Sequence, residues 1–108
     1  MDRATALKNA ATYAPEVRKV LSPCAIIMYG SYAKGKATLE SDIDIAVIFN
    51  GCHGNWLKDS ALLWKLTRSV SSCIEPILLD RAQDPSGFAQ EIISTGEVLY
   101  SNGFLPDK

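Results

Sequence analysis

The sequence lacks the features that mark several protein classes. No apolar run approaches the roughly 18 residues that cross a membrane. The opening stretch MDRATALKNAATYAPEVRKV carries charges throughout and has no apolar segment of the kind an export signal requires. Eleven basic residues face twelve acidic ones, a net charge of -1, so no basic excess argues for direct nucleic-acid binding. There are no repeats, low-complexity tracts or linkers. Cysteine is sparse: Cys24, Cys52 and Cys73 form an odd set in or beside apolar segments. Without an export signal they are expected as reduced thiols, which implies a cytoplasmic location. The one histidine, His53, adjoins Cys52, and two neighbouring residues do not build a zinc site alone. A length of 108 residues is expected to form one domain, residues 1–108, with little area left for a separate substrate-binding unit.

What is present alternates between helical and strand patterns. Asp2 is placed to cap a helix from Arg3 to about Leu21, with Leu7, Ala11, Ala14, Val17 and Leu21 near helical spacing. Pro15 is expected to break, kink or restart it. Cys24 to Tyr29 is wholly apolar and reads as a buried strand ended by Gly30. Ser31 to Lys34 fits a short helical turn stopped by Gly35. Asp42 to Phe49 reads as the second strand. The loop NGCHGN leads to Asn55, the cap of a helix to about Ser71, with Trp56, Leu63, Leu66 and Val70 on one stripe. Cys73 to Leu79 is a third strand. Pro85 to Thr95 is a final helix closed by Gly96, and Val98 to Tyr100 a short extra strand. The fold class this implies is α/β (α+β), a small mixed sheet of three to four strands packed with helices.

One segment breaks the apolar pattern. In MYGSYAKGKATLESDIDIAVIF, two carboxylates stand in a run that otherwise reads as buried strand. Side chains alternate along a strand, so Asp42 and Asp44 share a face, about 7 Å apart along the backbone. Like charges brought together near a core repel and lose hydration, so the pair requires a compensating cation. Oxygen-only donors suit Mg²⁺. Two carboxylates able to hold ions about 4 Å apart match two-metal phosphoryl chemistry.

Gly30 and Ser31 supply the complement. A glycine between a strand and a turn permits close backbone approach and positive φ. The N–H groups that follow it, the Ser31 hydroxyl and the Lys34 and Lys36 ammonium groups suit a triphosphate. A phosphate cradle beside metal ligands is what transfer from a nucleoside triphosphate such as ATP needs.

Gly30-Ser31, ten residues, then Asp42-Ile43-Asp44 resembles the signature of the DNA polymerase β-type nucleotidyltransferase superfamily. More narrowly, YGSYAKGKATLESDIDIAVIF looks like the minimal nucleotidyltransferase (MNT) proteins, which occur as antitoxins beside HEPN-domain toxins. SDIDIAV, CIEPILL and EIISTGEVLYSNG extend the resemblance over nearly the whole chain. It implies a nucleotidyltransferase fold, with Asp42 and Asp44 as catalytic metal ligands and Gly30, Ser31 and Lys34 on the nucleotide. It also implies a third carboxylate, as ligand or base, on the third strand. Glu75 is the match, with Asp80 the weaker candidate because its strand parity is opposite. Two departures stand out: glutamate followed by Pro76 where aspartate is usual, and Lys34 where arginine is common.

The resemblance further implies Mg²⁺-dependent transfer of AMP from ATP to a tyrosine hydroxyl of a HEPN-domain toxin, within a hetero-oligomer. The short chain is consistent with a second chain completing the acceptor site. The alternatives are an antitoxin that neutralises by binding alone and an adenylyltransferase acting on a small molecule such as an antibiotic. Tyr29 and Tyr32 flank the Gly-Ser turn, and sequence does not decide which of them meets the nucleotide. Phe88, Ile92, Ile93, Phe104 and Leu105 are candidate partner-surface residues.

Overall fold

A computed structural model describes residues 2–33, 35, 41–51 and 54–103. Among these residues the elements are α1 (Arg3–Arg18), β1 (Ala25–Tyr29), β2 (Ile43–Phe49), α2 (Trp56–Thr67), β3 (Ile74–Asp80), α3 (Phe88–Thr95) and β4 (Glu97–Ser101). The four strands form one mixed sheet in the order β3-β2-β1-β4. β1 runs antiparallel to both β2 and β4, whereas β2 and β3 are parallel and joined through α2.

β1 and β2 are apolar on both sides because they are the central strands and helices lie over both faces. One face packs Ile26, Met28, Ile43, Ile45, Val47, Ile74 and Leu78 against α1 and α2. The other packs Ala25, Ile27, Ala46 and Ile48 against Ile92 and Ile93 of α3. Buried Tyr13 ties the two helices of the first layer together, its hydroxyl donating to the Leu63 carbonyl at 2.7 Å.

Several sequence expectations shift. α1 buries Ala14 and Val17 as read, with Leu7 and Leu21 partly buried against the same core, but Ala11 is exposed and Ala6, Ala10 and Tyr13 are buried as well. Pro15 does not end this helix, which runs on to Arg18. Proline leaves the carbonyl one turn earlier without its usual donor, but here Ala11 and Pro15 are both exposed and water can serve it. α3 begins at Phe88 rather than Pro85. Asp84 caps it from upstream, accepting from the Ala89 and Gln90 amides at 3.0 Å each. Gly96 ends α3 in an extended conformation, not a left-handed one. It is needed there because a Cβ would overlap Ile27 of β1. Ile92 and Ile93 are core residues, not partner surface. Phe104, Leu105, Cys52 and His53 lie outside the described residues.

Candidate active site

β1 ends at Tyr29 beside the start of β2, and parallel pairing sets the start of β3 against the same point. The register aligns Tyr29 with Asp44 and Asp44 with Glu75. Aligned residues share a face, so these three form one row across three strands. On the same face the next rows are apolar: Ile27, Ala46 and Ile77, then Ala25, Ile48 and Leu79. The carboxylates are therefore confined to one end of the sheet. Asp42 sits exposed just ahead of β2, not within it as the sequence pattern suggested.

The charge of Asp42 bears on both of the other carboxylates. Burial raises the Asp44 carboxyl above its ordinary value, and the charge of Asp42 adds to the effect. Glu75 is exposed, yet its carboxyl is also raised, by partial desolvation, then by Asp42 and Asp44, and by a hydrogen bond with Asp42. Burial followed by the charges of Asp44 and Glu75 pushes the Tyr29 phenol up to about 12. Tyr29 thus stays a neutral hydroxyl at the rim of an acidic cluster. Its ring stands edge-on to Phe88, with centroids 5.8 Å apart. Tyr32, the other candidate, is a core residue of the opposite layer. The structure separates the two tyrosines because Gly30 turns the chain between them.

Gly30 adopts φ +76°, and a Cβ there would overlap Asp44 Oδ2. The turn therefore runs directly against the carboxylate row, at a distance only glycine permits. Residues 30–33 form a turn rather than a helix, so turn amides and the Ser31 hydroxyl, not a helix terminus, follow Gly30. Ser31 is half-buried beside Gly30. Lys34 and Lys36 lie outside the described residues.

Asp80 is resolved as structural. It lies at the far end of β3, where its Oδ1 accepts from the Gly51 and Ala82 amides at 2.9 Å each. Pro76 lies on β3, an edge strand, where a missing backbone donor is tolerated. The donor chemistry of Asp42, Asp44 and Glu75 fits a hard cation. Among the described residues, however, no three carboxylate, thiol or imidazole side chains are gathered into a ready metal cage.

Residues 14–104 match the family described as Polymerase beta, Nucleotidyltransferase. The chain belongs to that family. No match was found among curated protein sequences. Two solved structures share the nucleotidyltransferase fold. One is a candidate nucleotidyltransferase from Sulfolobus solfataricus, 22% identical over 94% of this chain and 86% of its own, with a TM-score of 0.67. The other is a chain from a crystal structure of a toxin–antitoxin with AMP-PNP, 23% identical over 86% of this chain and 74% of its own, with a TM-score of 0.56. At these identities the likeness is one of fold.

Proposed function

We propose that this nucleotidyltransferase is an antitoxin that moves AMP from ATP onto a tyrosine hydroxyl of a HEPN-domain toxin in the cytoplasm. The observation that carries the reading is the row of Asp44 and Glu75, joined by Asp42 and overlain by Gly30. Asp44 and Glu75, each raised by desolvation and by neighbouring carboxylates, describe a site that gains from a cation. The toxin–antitoxin neighbour and its AMP-PNP support a protein partner and an adenine nucleotide.

Asp42 and Asp44 are the residues to hold Mg²⁺, with Glu75 as third ligand or base. Bound Mg²⁺ supplies charge neutralisation at the phosphates and Lewis acidity. The Gly30-Ser31 turn orients the β- and γ-phosphates, with Lys34 as a further contact. The acceptor oxygen attacks the α-phosphorus. A new P–O bond forms, the bond to the β-phosphate oxygen breaks, and pyrophosphate leaves. The hydroxyl proton passes to Glu75 as the candidate base.

The test is intact mass spectrometry of the partner after incubation with this protein, ATP and Mg²⁺. A gain of one or more AMP units is expected, and it vanishes with Asp44→Asn. An unmodified partner inhibited equally by wild type and Asp44→Asn would favour a second reading, neutralisation by contact alone. The exposed position of Glu75 and the absence of a gathered cage among the described residues are the observations on that side.

A further inference from the structure

α2 has an outward face that the fold does not use. Leu57 is 80% exposed and Trp64 50% exposed. Ala61 between them is exposed as well. The steps of four and then three residues match a coiled-coil seam, one apolar edge recurring every 3.5 residues on average. The helix turns its other side inward through Asp59, Leu63 and Thr67. The positions that flank a seam and choose its partner are filled by Lys58 and Lys65, and Arg68 continues the seam at the helix end. None of the three cations has an ion-pair partner among the described residues. The one acidic residue of α2, Asp59, is buried.

This face lies across the sheet from the carboxylate row, since α2 covers the Ile74 and Leu78 side of β3 and Glu75 stands on the other. α2 packs on β3 and leads straight into it, and β3 is the sheet edge that carries Glu75. The end of α2 that bears Trp64 and Arg68 leads to the Glu75 end of that strand. We infer that the outward face of α2 seats an acidic amphipathic helix of the acceptor protein, from which a further segment of that protein reaches round the β3 edge to bring its hydroxyl to Glu75. The inference rests on the transferase reading for the hydroxyl, but not for the docking. A protein helix is favoured over nucleic acid or membrane because the seam centre is apolar, the cations are few and the whole chain is slightly acidic.

Both tryptophans of the chain, Trp56 and Trp64, lie on α2, so intrinsic fluorescence reports on this helix. The probes are a synthetic helical peptide with a leucine seam flanked by glutamates, its lysine-flanked counterpart, phosphatidylserine vesicles and single-stranded RNA. No ATP or Mg²⁺ is added. The acidic peptide is expected to shift emission to the blue with an affinity that falls as salt rises, and the other three to leave it unchanged. Trp64→Ser should weaken the acidic peptide by about 30-fold or more, followed through Trp56. Lys58→Glu with Lys65→Glu should remove the preference for acidic over basic peptide while far-UV circular dichroism stays native. No shift with the acidic peptide, a shift with vesicles or RNA instead, or equal binding by the charge-reversed variant overturns the proposal. Asp44→Asn should bind the peptide like wild type. A failed AMP transfer with intact docking, and intact transfer with failed docking, are thus separate outcomes.

Discussion

Strand β3 carries a carboxylate near each end, and the two have opposite surroundings. Asp80 receives two backbone amides and pins the loops after β2 and β3. Glu75, near the other end, has its carboxyl raised by partial desolvation and then by the charges of Asp42 and Asp44. A carboxylate supplied with N–H donors is part of the scaffold, because its charge is already compensated. A carboxylate grouped with other carboxylates finds no such compensation among the described residues. Acidic residues of one strand, with similar side chains, thus meet opposite surroundings according to what the register sets beside them.

The largest effect that sharpens this contrast is on activity. Asp42→Asn with Asp44→Asn should abolish AMP transfer, assayed with labelled ATP and the partner protein, while the melting temperature stays level or rises slightly. Removing repelling charges costs the fold nothing. Transfer at the wild-type level would break the assignment. Gly30→Val comes next and should also nearly abolish transfer, since φ +76° and the overlap with Asp44 leave no room for a β-branched side chain.

Ser31→Ala is milder. Loss of one hydrogen bond to a charged phosphate costs roughly 1.5–3 kcal/mol, or about ten- to hundredfold in single-turnover rate. At the opposite end of β3 the sign of the comparison reverses. Asp80→Ala should destabilise the fold by about 1–3 kcal/mol in urea unfolding, through its two abandoned amides, and leave nucleotide binding close to wild type. If Asp80→Ala instead lost nucleotide binding with an unchanged unfolding midpoint, the division of roles would fail.

The smallest effect is on pH dependence. The folded carboxyls of Asp44 and Glu75 are raised, so the native state holds more protons than the unfolded chain just above the ordinary carboxylate range. Stability from this pair is therefore present at lower pH and is lost as pH rises through their folded values. Thermal melts across that window should show the decline. It should flatten in Asp44→Asn and when Mg²⁺ is present, and persist in Asp80→Ala.

Much of this was legible in the chain. Four strands, three helices, the Asp2 and Asn55 caps and the edge character of β3 follow from local signals: apolar period, side-chain acceptors at helix starts, and a proline lacking an N–H. The errors arose where a distant residue intervened. Tyr13 was missed on the buried side of α1, where it reaches the Leu63 carbonyl, fifty residues away. Gly96 closes α3 as expected, but the need for glycine there comes from Ile27 on a neighbouring strand rather than from a left-handed cap. The Ser31 region looked helical from spacing alone, but forms a turn once Gly30 lies against Asp44.

By itself the sequence determined the pairing of Gly30-Ser31 with Asp42 and Asp44, because glycine at a strand end and carboxylates in an apolar run are costly and local. It also placed an acidic residue within the third strand. Only the tertiary structure decided that this residue joins the others while Asp80 does not, that Tyr29 borders the cluster while Tyr32 is core, and that Trp64 points outward. Each depends on which strand or helix lies alongside, and that is set by long-range register rather than by neighbours in the chain.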